Sequence, residues 1–243
     1  MSKHIDPSVS SLERMIPETI RAGESAGNEA LKLHVQRYEF ALTHIHGLVG
    51  DIACGAGFGS AILSERAERV VGVDLDPGIV DYARRTYPRR NVDFVCADAL
   101  QFTHAPFDAI VSFETIEHVP QPEALVHRLA SLLKPGGTLI ASVPVTPSMD
   151  ANPYHLHDFD EPSFTRLFPP GLRRVDALYQ TQPFSPVAVA TKSQPHLEDL
   201  RPNLLGYYLR HPAKAVLRVG STLRHGFSNR YLSVVMKDQR ASP

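Results

Sequence analysis

DIACGAGFGS, residues 51–60, decides the fold. It overlaps the end of the apolar run LVGDIA (48–53) and leads into the helical spacing of SAILSERA (60–67), so it reads as the turn from a buried strand into a helix. Gly55, Gly57 and Gly59 let such a turn fold tightly and approach a ligand closely, because side chains there would clash or forbid the dihedrals. In an open α/β sheet the first strand-to-helix turn lies at the crevice where strand order reverses, and ligands bind there.

Outward from this turn, the same alternation repeats. RVVGVD (69–74), VDFVCA (92–97), FDAIVSF (107–113) and GTLIASV (137–143) are near-continuous apolar runs, as strands buried on both faces should be. Helical spacing separates them in GIVDYARRTY (78–87) and PEALVHRLASLL (122–133), and KPGG (134–137) reads as the stop of the latter helix. The fold class is therefore α/β, a doubly wound parallel sheet with helices on both faces. Two more strands are read at LRRVDALY (172–179) and RYLSVVMK (230–237). The chain divides into an N-terminal helical cap (1–45), an α/β core (46–182), an inserted lid or substrate segment (183–229), and the last strand with its tail (230–243). The cap's periodicity is strongest in NEALKLHVQRYEFALTHI and places it near the sheet's carboxyl edge, while VPVTPSMDANPYHLHDFDEP (143–162) reads as one long loop.

Composition narrows the function classes. With 243 residues, 43% hydrophobic and 21% charged, the chain can bury one sizeable core. A net charge of -1 provides no global basic field, so nucleic acid is not expected as a partner. Two cysteines rule out a disulfide framework as the source of stability. No apolar stretch is long enough to span a bilayer and no signal-like segment opens the chain, so no integral membrane segment is expected and the location reads as cytoplasmic.

The ligand can be read from the strand ends. A dinucleotide fingerprint would carry its third glycine at position 60, where Ser60 stands. Asp51 would also repel a pyrophosphate but could pair with a cationic group, so a ligand with an amino acid moiety fits better than NAD(P). Asp74 ends the second strand about twenty residues past the first glycine, where an acid accepts from both ribose hydroxyls. Asp76, just before Pro77, is better read as a helix N-cap. Asp98 follows the third strand, either accepting from an adenine amino group or serving as a loop acid.

Together these residues resemble the class I S-adenosylmethionine (SAM)-dependent methyltransferases. DIACGAGFG resembles their glycine-rich first motif, VVGVDLD their ribose-binding motif, CADA their adenine-side motif, and FDAIVSFETIEHV and LLKPGGTLIASVP their fourth- and fifth-strand motifs. The resemblance covers residues 48–145, and GNEALKLHVQRYEFA is similar to a cap helix of many bacterial members. It implies a seven-stranded Rossmann-like sheet with the last strand antiparallel, and SAM as cofactor. Carried over by position, Asp51, Gly55 and Gly57 line the methionine part, Asp74 the ribose, Asp98 and Ala99 the adenine, and Phe113 lies beneath the donor methyl. Ala53 and Leu75 complete the cofactor-binding set, and Arg37 either pairs with the cofactor carboxylate or is an exposed helix arginine.

Catalysis is harder to read, because methyl transfer depends on alignment, plus a base if the nucleophile carries a proton. In SFETIEHV, the E-x-x-E-H of Glu114, Glu117 and His118 resembles the metal-associated motif of the ubiquinone-biosynthesis O-methyltransferases. Such a trio either holds a divalent ion that acidifies a hydroxyl or braces the next helix, and no metal is assigned. The polar loop with Asn152, Tyr154, His155, His157 and Asp158 supplies the first choice of base, His155, with His118 and His157 as further catalytic candidates. Residues 183–230 carry seven Lys or Arg against Glu198 and Asp199. That surplus suits an acidic acceptor, an anionic membrane carrying a lipid-linked one, or simply a solvated lid or dimer contact. The expected function is methyl transfer to an oxygen or nitrogen of a small molecule: a sugar, natural product or quinone-like metabolite. The rivals are a non-catalytic SAM-binding regulatory protein and an NAD(P)-dependent oxidoreductase. A homodimer is left open.

Overall fold

The apolar runs form strands β1 (Leu48–Ile52), β2 (Arg69–Asp74), β3 (Val92–Cys96), β4 (Phe107–Phe113), β5 (Leu133–Pro144), β6 (Leu172–Pro183) and β7 (Ser228–Asp238) of one sheet, ordered β3-β2-β1-β4-β5-β7-β6, in a computed structural model that describes residues 15–19, 25–149, 152, 154–183 and 204–240. β1 pairs in parallel with both β2 and β4, so strand order reverses there and the turns after β1 and β4 open onto one crevice. β7 runs antiparallel to both its neighbours, as the resemblance implied.

Both faces of the central strands are covered, which is why β1, β2 and β4 are near-continuous apolar runs. Ile52, Ile110, Leu139 and Ala141 pack into a core with Leu125 and Leu129 of α4 (Pro122–Ser131) and Phe164 of α5 (Glu161–Arg166). Their neighbours Val49, Val111 and Ile140 point the other way, onto Tyr38 and Ala41 of α1 (Ser25–Leu42) and Leu63 of α2 (Phe58–Leu63). A third cluster joins Ile79, Val80 and Ala83 of α3 (Pro77–Thr86) to Phe94 and Ile16. The α3 start follows the N-cap reading: the Asp76 side chain accepts from the amides of Gly78 and Ile79, with Pro77 at the first helical position.

Two readings need correction. KPGG does not stop a helix, since α4 ends at Ser131 and Leu132 is its cap; the four residues instead bulge within β5, where pairing jumps from Phe107–Leu133 to Ala109–Thr138. The segment after β5 is not all loop, because Asp160 and Ser163 form a reciprocal capping box that starts α5. In the expected lid, α6 (Leu204–Arg210) and α7 (Pro212–His225) are separate helices broken at Pro212, whereas Lys192, Glu198, Asp199 and Arg201 lie outside the described residues.

Candidate active site

The crevice begins with two strained backbones. Ala53 after β1 (φ 62°) and Glu114 after β4 (φ 49°) are non-glycine residues in the left-handed region. Such conformations cost about 1–3 kcal/mol each and gather at functional sites. Here they turn two adjacent strands sharply out of the sheet around a cleft with two lobes.

Met15, Tyr38, Ala53, Gly55, Asp74 and Phe113 are among the residues lining the first lobe, about 820 Å³ and open to solvent. A Cβ added to Gly55 would meet nothing within 4 Å, so this stretch of backbone faces open space. The Gly55 amide donates to Asp74 Oδ2 (2.9 Å) and the Asp76 amide to Oδ1 (3.0 Å), which locks the carboxylate against the wall of the lobe. Each carboxylate oxygen has two acceptor sites, leaving lone pairs for a ligand's hydroxyls.

The other glycines serve packing. A Cβ on Gly57 would come 2.6 Å from Ala83 and 2.8 Å from Phe94, and one on Gly59 would come 1.9 Å from Tyr38 Cζ. Asp51 likewise lies behind the turn, accepting from Ser60 Oγ (2.6 Å) and Tyr38 Oη (3.3 Å), and its burial pushes the carboxyl up to about 7. Asp98 is occupied in its own turn by the Leu100 amide and Gln101, Ala99 packs against the core, and Leu75 is 69% exposed. Asp51, Gly57, Leu75, Asp98 and Ala99 therefore do not line the first lobe.

The second lobe, about 880 Å³, shares His34, Glu114 and His118 with the first and is lined further by Arg37, Glu117, Ser148, Asn152, His155 and Tyr231. Arg37 is not an exposed helix arginine: it is 1% exposed, its Nε donates to Gln180 Oε1 (2.8 Å), and its guanidinium lies 4.6 Å from the Tyr231 ring centroid. Nη1 stands 3.9 Å from Glu114 Oε1, which also accepts from Ser142 Oγ (2.7 Å). Arg37 thus lines the second lobe rather than the first.

Glu117 is fully buried, and neither of its oxygens has a hydrogen-bond partner. Desolvation, with the nearby Glu114 charge, holds its carboxyl well above the ordinary range and hence neutral. His155 comes in from the loop after β5 with its ring 4.7 Å from that of His118 and its Nδ1 2.7 Å from Ser148 Oγ. Burial pushes its imidazole down to about 4, leaving it uncharged at neutral pH. The ligating atoms of Glu117, His118 and His155 lie within 4.8 Å of one another, so this trio, and not Glu114 with Glu117 and His118, is the one brought together. His157 is outside both lobes, its Nε2 3.0 Å from the Val119 carbonyl, where it braces the loop. Asp158 holds the loop from beneath, accepting from the amides of Ser148 (2.8 Å) and Met149 (3.1 Å) and from Lys214 of α7.

Residues 50–141, which include the turns after β1 and β4, match the family described as "Methyltransferase domain". The chain is 30% identical over 123 residues to a Mycolicibacterium smegmatis protein described as a probable S-adenosylmethionine-dependent methyltransferase, covering 48% of each chain. It is 35% identical over 120 residues to the ubiquinone biosynthesis O-methyltransferase of Idiomarina loihiensis, covering 46% of this chain and 49% of that one. The chain thus spans about half the length of the curated relatives it matches. The N-methyltransferase NodS of Bradyrhizobium japonicum, solved with S-adenosyl-L-homocysteine (SAH), superposes with a TM-score of 0.58 at 16% identity over 86% of both chains. Residues 50–141 form a methyltransferase domain.

In this methyltransferase domain the open backbone at Gly55 and the Asp74 carboxylate, held by two backbone amides, form one wall of the first lobe. Sequence reasoning missed His34, Tyr38 and Tyr231. A signal for the first two was present: His34, Arg37, Tyr38 and Ala41 follow i, i+3, i+4, i+7 spacing, which puts them on one face of α1.

Proposed function

We propose that the protein transfers a methyl group to a hydroxyl or amine of a polar small molecule held in the second lobe. One observation carries this reading: a nucleoside-sized lobe and a polar lobe meet at His34, Glu114 and His118, with the neutral imidazole of His155 on the polar side. Bound SAM supplies an electrophilic methyl group. Asp74 holds the ribose hydroxyls, and Phe113 and Tyr38 form apolar walls. If His155 Nδ1–H donates to Ser148 Oγ, Nε2 is left as the bare nitrogen that accepts the acceptor's proton. Asn152, Gln182 and Asn229 supply further polar contacts on the second lobe, which favour a sugar-like or aminated acceptor over a quinone-like one. The Glu117, His118 and His155 trio is also a set that would hold a divalent cation, and a chelator arm in the assay separates that route from the histidine-base route.

Calorimetric titration with SAH and NADH, followed by SAH-release assays with SAM and a simple glycoside, a catechol or a primary amine, tests the proposal. SAH binding without NADH binding, and release of SAH that His155→Gln suppresses, are expected. NADH binding without SAH binding would establish the oxidoreductase instead, and SAH binding without turnover of any probe would leave a SAM-binding regulator.

A further inference from the structure

An amphipathic helix in a globular protein normally turns its apolar stripe inward. α7 does the reverse: Val216, Val219 and Leu223 recur at helical spacing and face solvent, Leu223 at 84% exposure and Val216 at 72%, while no residue of the helix is buried. The inward side is polar, with Lys214 paired to Asp158 and Arg218 against Tyr208. Leu205 and Leu209 of α6 extend the exposed apolar surface. No described segment covers this face.

We propose that the outward face of α6 and α7 docks on an anionic lipid bilayer. Charge selects this occupant. α6 and α7 carry Arg210, Lys214, Arg218 and Arg224 and no Asp or Glu. A second copy of the same face would bring cation against cation, whereas anionic headgroups complement Arg210 and Arg224, which are exposed beside the apolar stripe. α7 has 14 residues, about 21 Å at the usual rise, and no described helix is long and apolar enough to cross a membrane, so it lies in the plane of the interface. The docked helix is tied to the polar lobe through Lys214, Asp158 and Ser148, and it runs into β7, whose Asn229 and Tyr231 line that lobe. An acceptor presented at a membrane surface would then arrive beside the lobe that receives it. The docking itself does not depend on the methyl-transfer reading.

Co-sedimentation of the full chain with phosphatidylcholine vesicles, and with vesicles containing about a quarter phosphatidylglycerol, tests this. Binding to the anionic vesicles only, weakened at about 0.5 M salt, is expected. Val216→Ser with Leu223→Ser should weaken it roughly ten-fold or more while the melting temperature and SAH affinity stay unchanged. Absence of anionic-vesicle binding, or unchanged binding by the variant, overturns the proposal. Light scattering that finds a dimer broken by the same substitutions assigns the face to a second copy, and a marked fall in melting temperature assigns it to the chain's own residues; either result overturns lipid docking.

Discussion

The Tyr38 ring occupies the space a side chain at position 59 would need, with Cζ 1.9 Å from a Cβ built on Gly59. This contact seats α1 on the glycine-rich turn and places the same ring in the wall of the first lobe. Gly59→Ala should therefore destabilise the protein by about 1–3 kcal/mol through overpacking. It should also weaken SAH binding. Urea denaturation and calorimetry measure the two effects, and Tyr38→Ala in the same chain should recover part of the stability loss, since the two positions share one volume.

Asp51 makes stability depend on pH in an unusual direction. Its carboxyl is raised to about 7 from 3.8, so between these values the folded state holds a proton that the unfolded state has released. Its contribution is fully present below about pH 4 and is lost as pH rises to 7, at up to about 1.4 kcal/mol per pH unit. His34 and His155, lowered to about 3 and about 4 from 6.5, act oppositely, adding stability as pH rises towards 6.5. Comparing wild type with Asp51→Asn by urea denaturation at pH 4.5 and 7 isolates the Asp51 share: the variant should gain relative to wild type at the higher pH. An equal difference at both pH values would contradict the assignment.

Asp74→Asn should raise the SAH dissociation constant roughly 10- to 100-fold, about 1.4–2.7 kcal/mol. Its amide oxygen can still accept from one of the two amides that the carboxylate serves, so the fold should survive. Calorimetry for binding and circular dichroism for folding check the two halves.

Glu117 sits buried with no hydrogen-bond partner, which is costly unless the site uses it. Glu117→Leu should raise stability by about 1–3 kcal/mol while lowering activity. Melting curves and SAH release, measured with and without a chelator, give both readings. A variant that loses both stability and activity would mean the carboxyl is structural.

His155→Gln should lower kcat about 10²- to 10⁴-fold if the imidazole is the base. Because burial holds its pKa at about 4, wild-type kcat/KM should keep an acid limb near that pH that disappears in the variant. His157→Gln, at a residue turned onto the Val119 carbonyl, should leave kcat nearly unchanged.

Strand positions and the glycine-rich turn were legible because their signals are local. Continuous apolar runs mark strands buried on both faces, and Asp74 at a strand end points to the crevice wherever the strand itself is known. The polar loop after β5 was legible only as composition. His155 meets Glu117 and His118 because β5 brings its loop back over the end of β4, a relation that no spacing along the chain encodes. The short α5 was missed although D-x-x-S before it is a capping signal, because Pro and Asp around it read equally well as turn formers.

The sequence by itself determined that the glycine-rich turn DIACGAGFGS joins a buried strand to a helix and, through the alternation of apolar runs and helical spacing that follows it, that the sheet is doubly wound, since backbone freedom and hydrophobic periodicity act over a few residues. Only the tertiary structure decided which of the three glycines faces open space, that Asp51 stands behind the turn, that Arg37 belongs to the second lobe, and that α7 carries its apolar stripe outward. A sequence period states that two faces differ. Packing against the rest of the chain determines which of them is turned in.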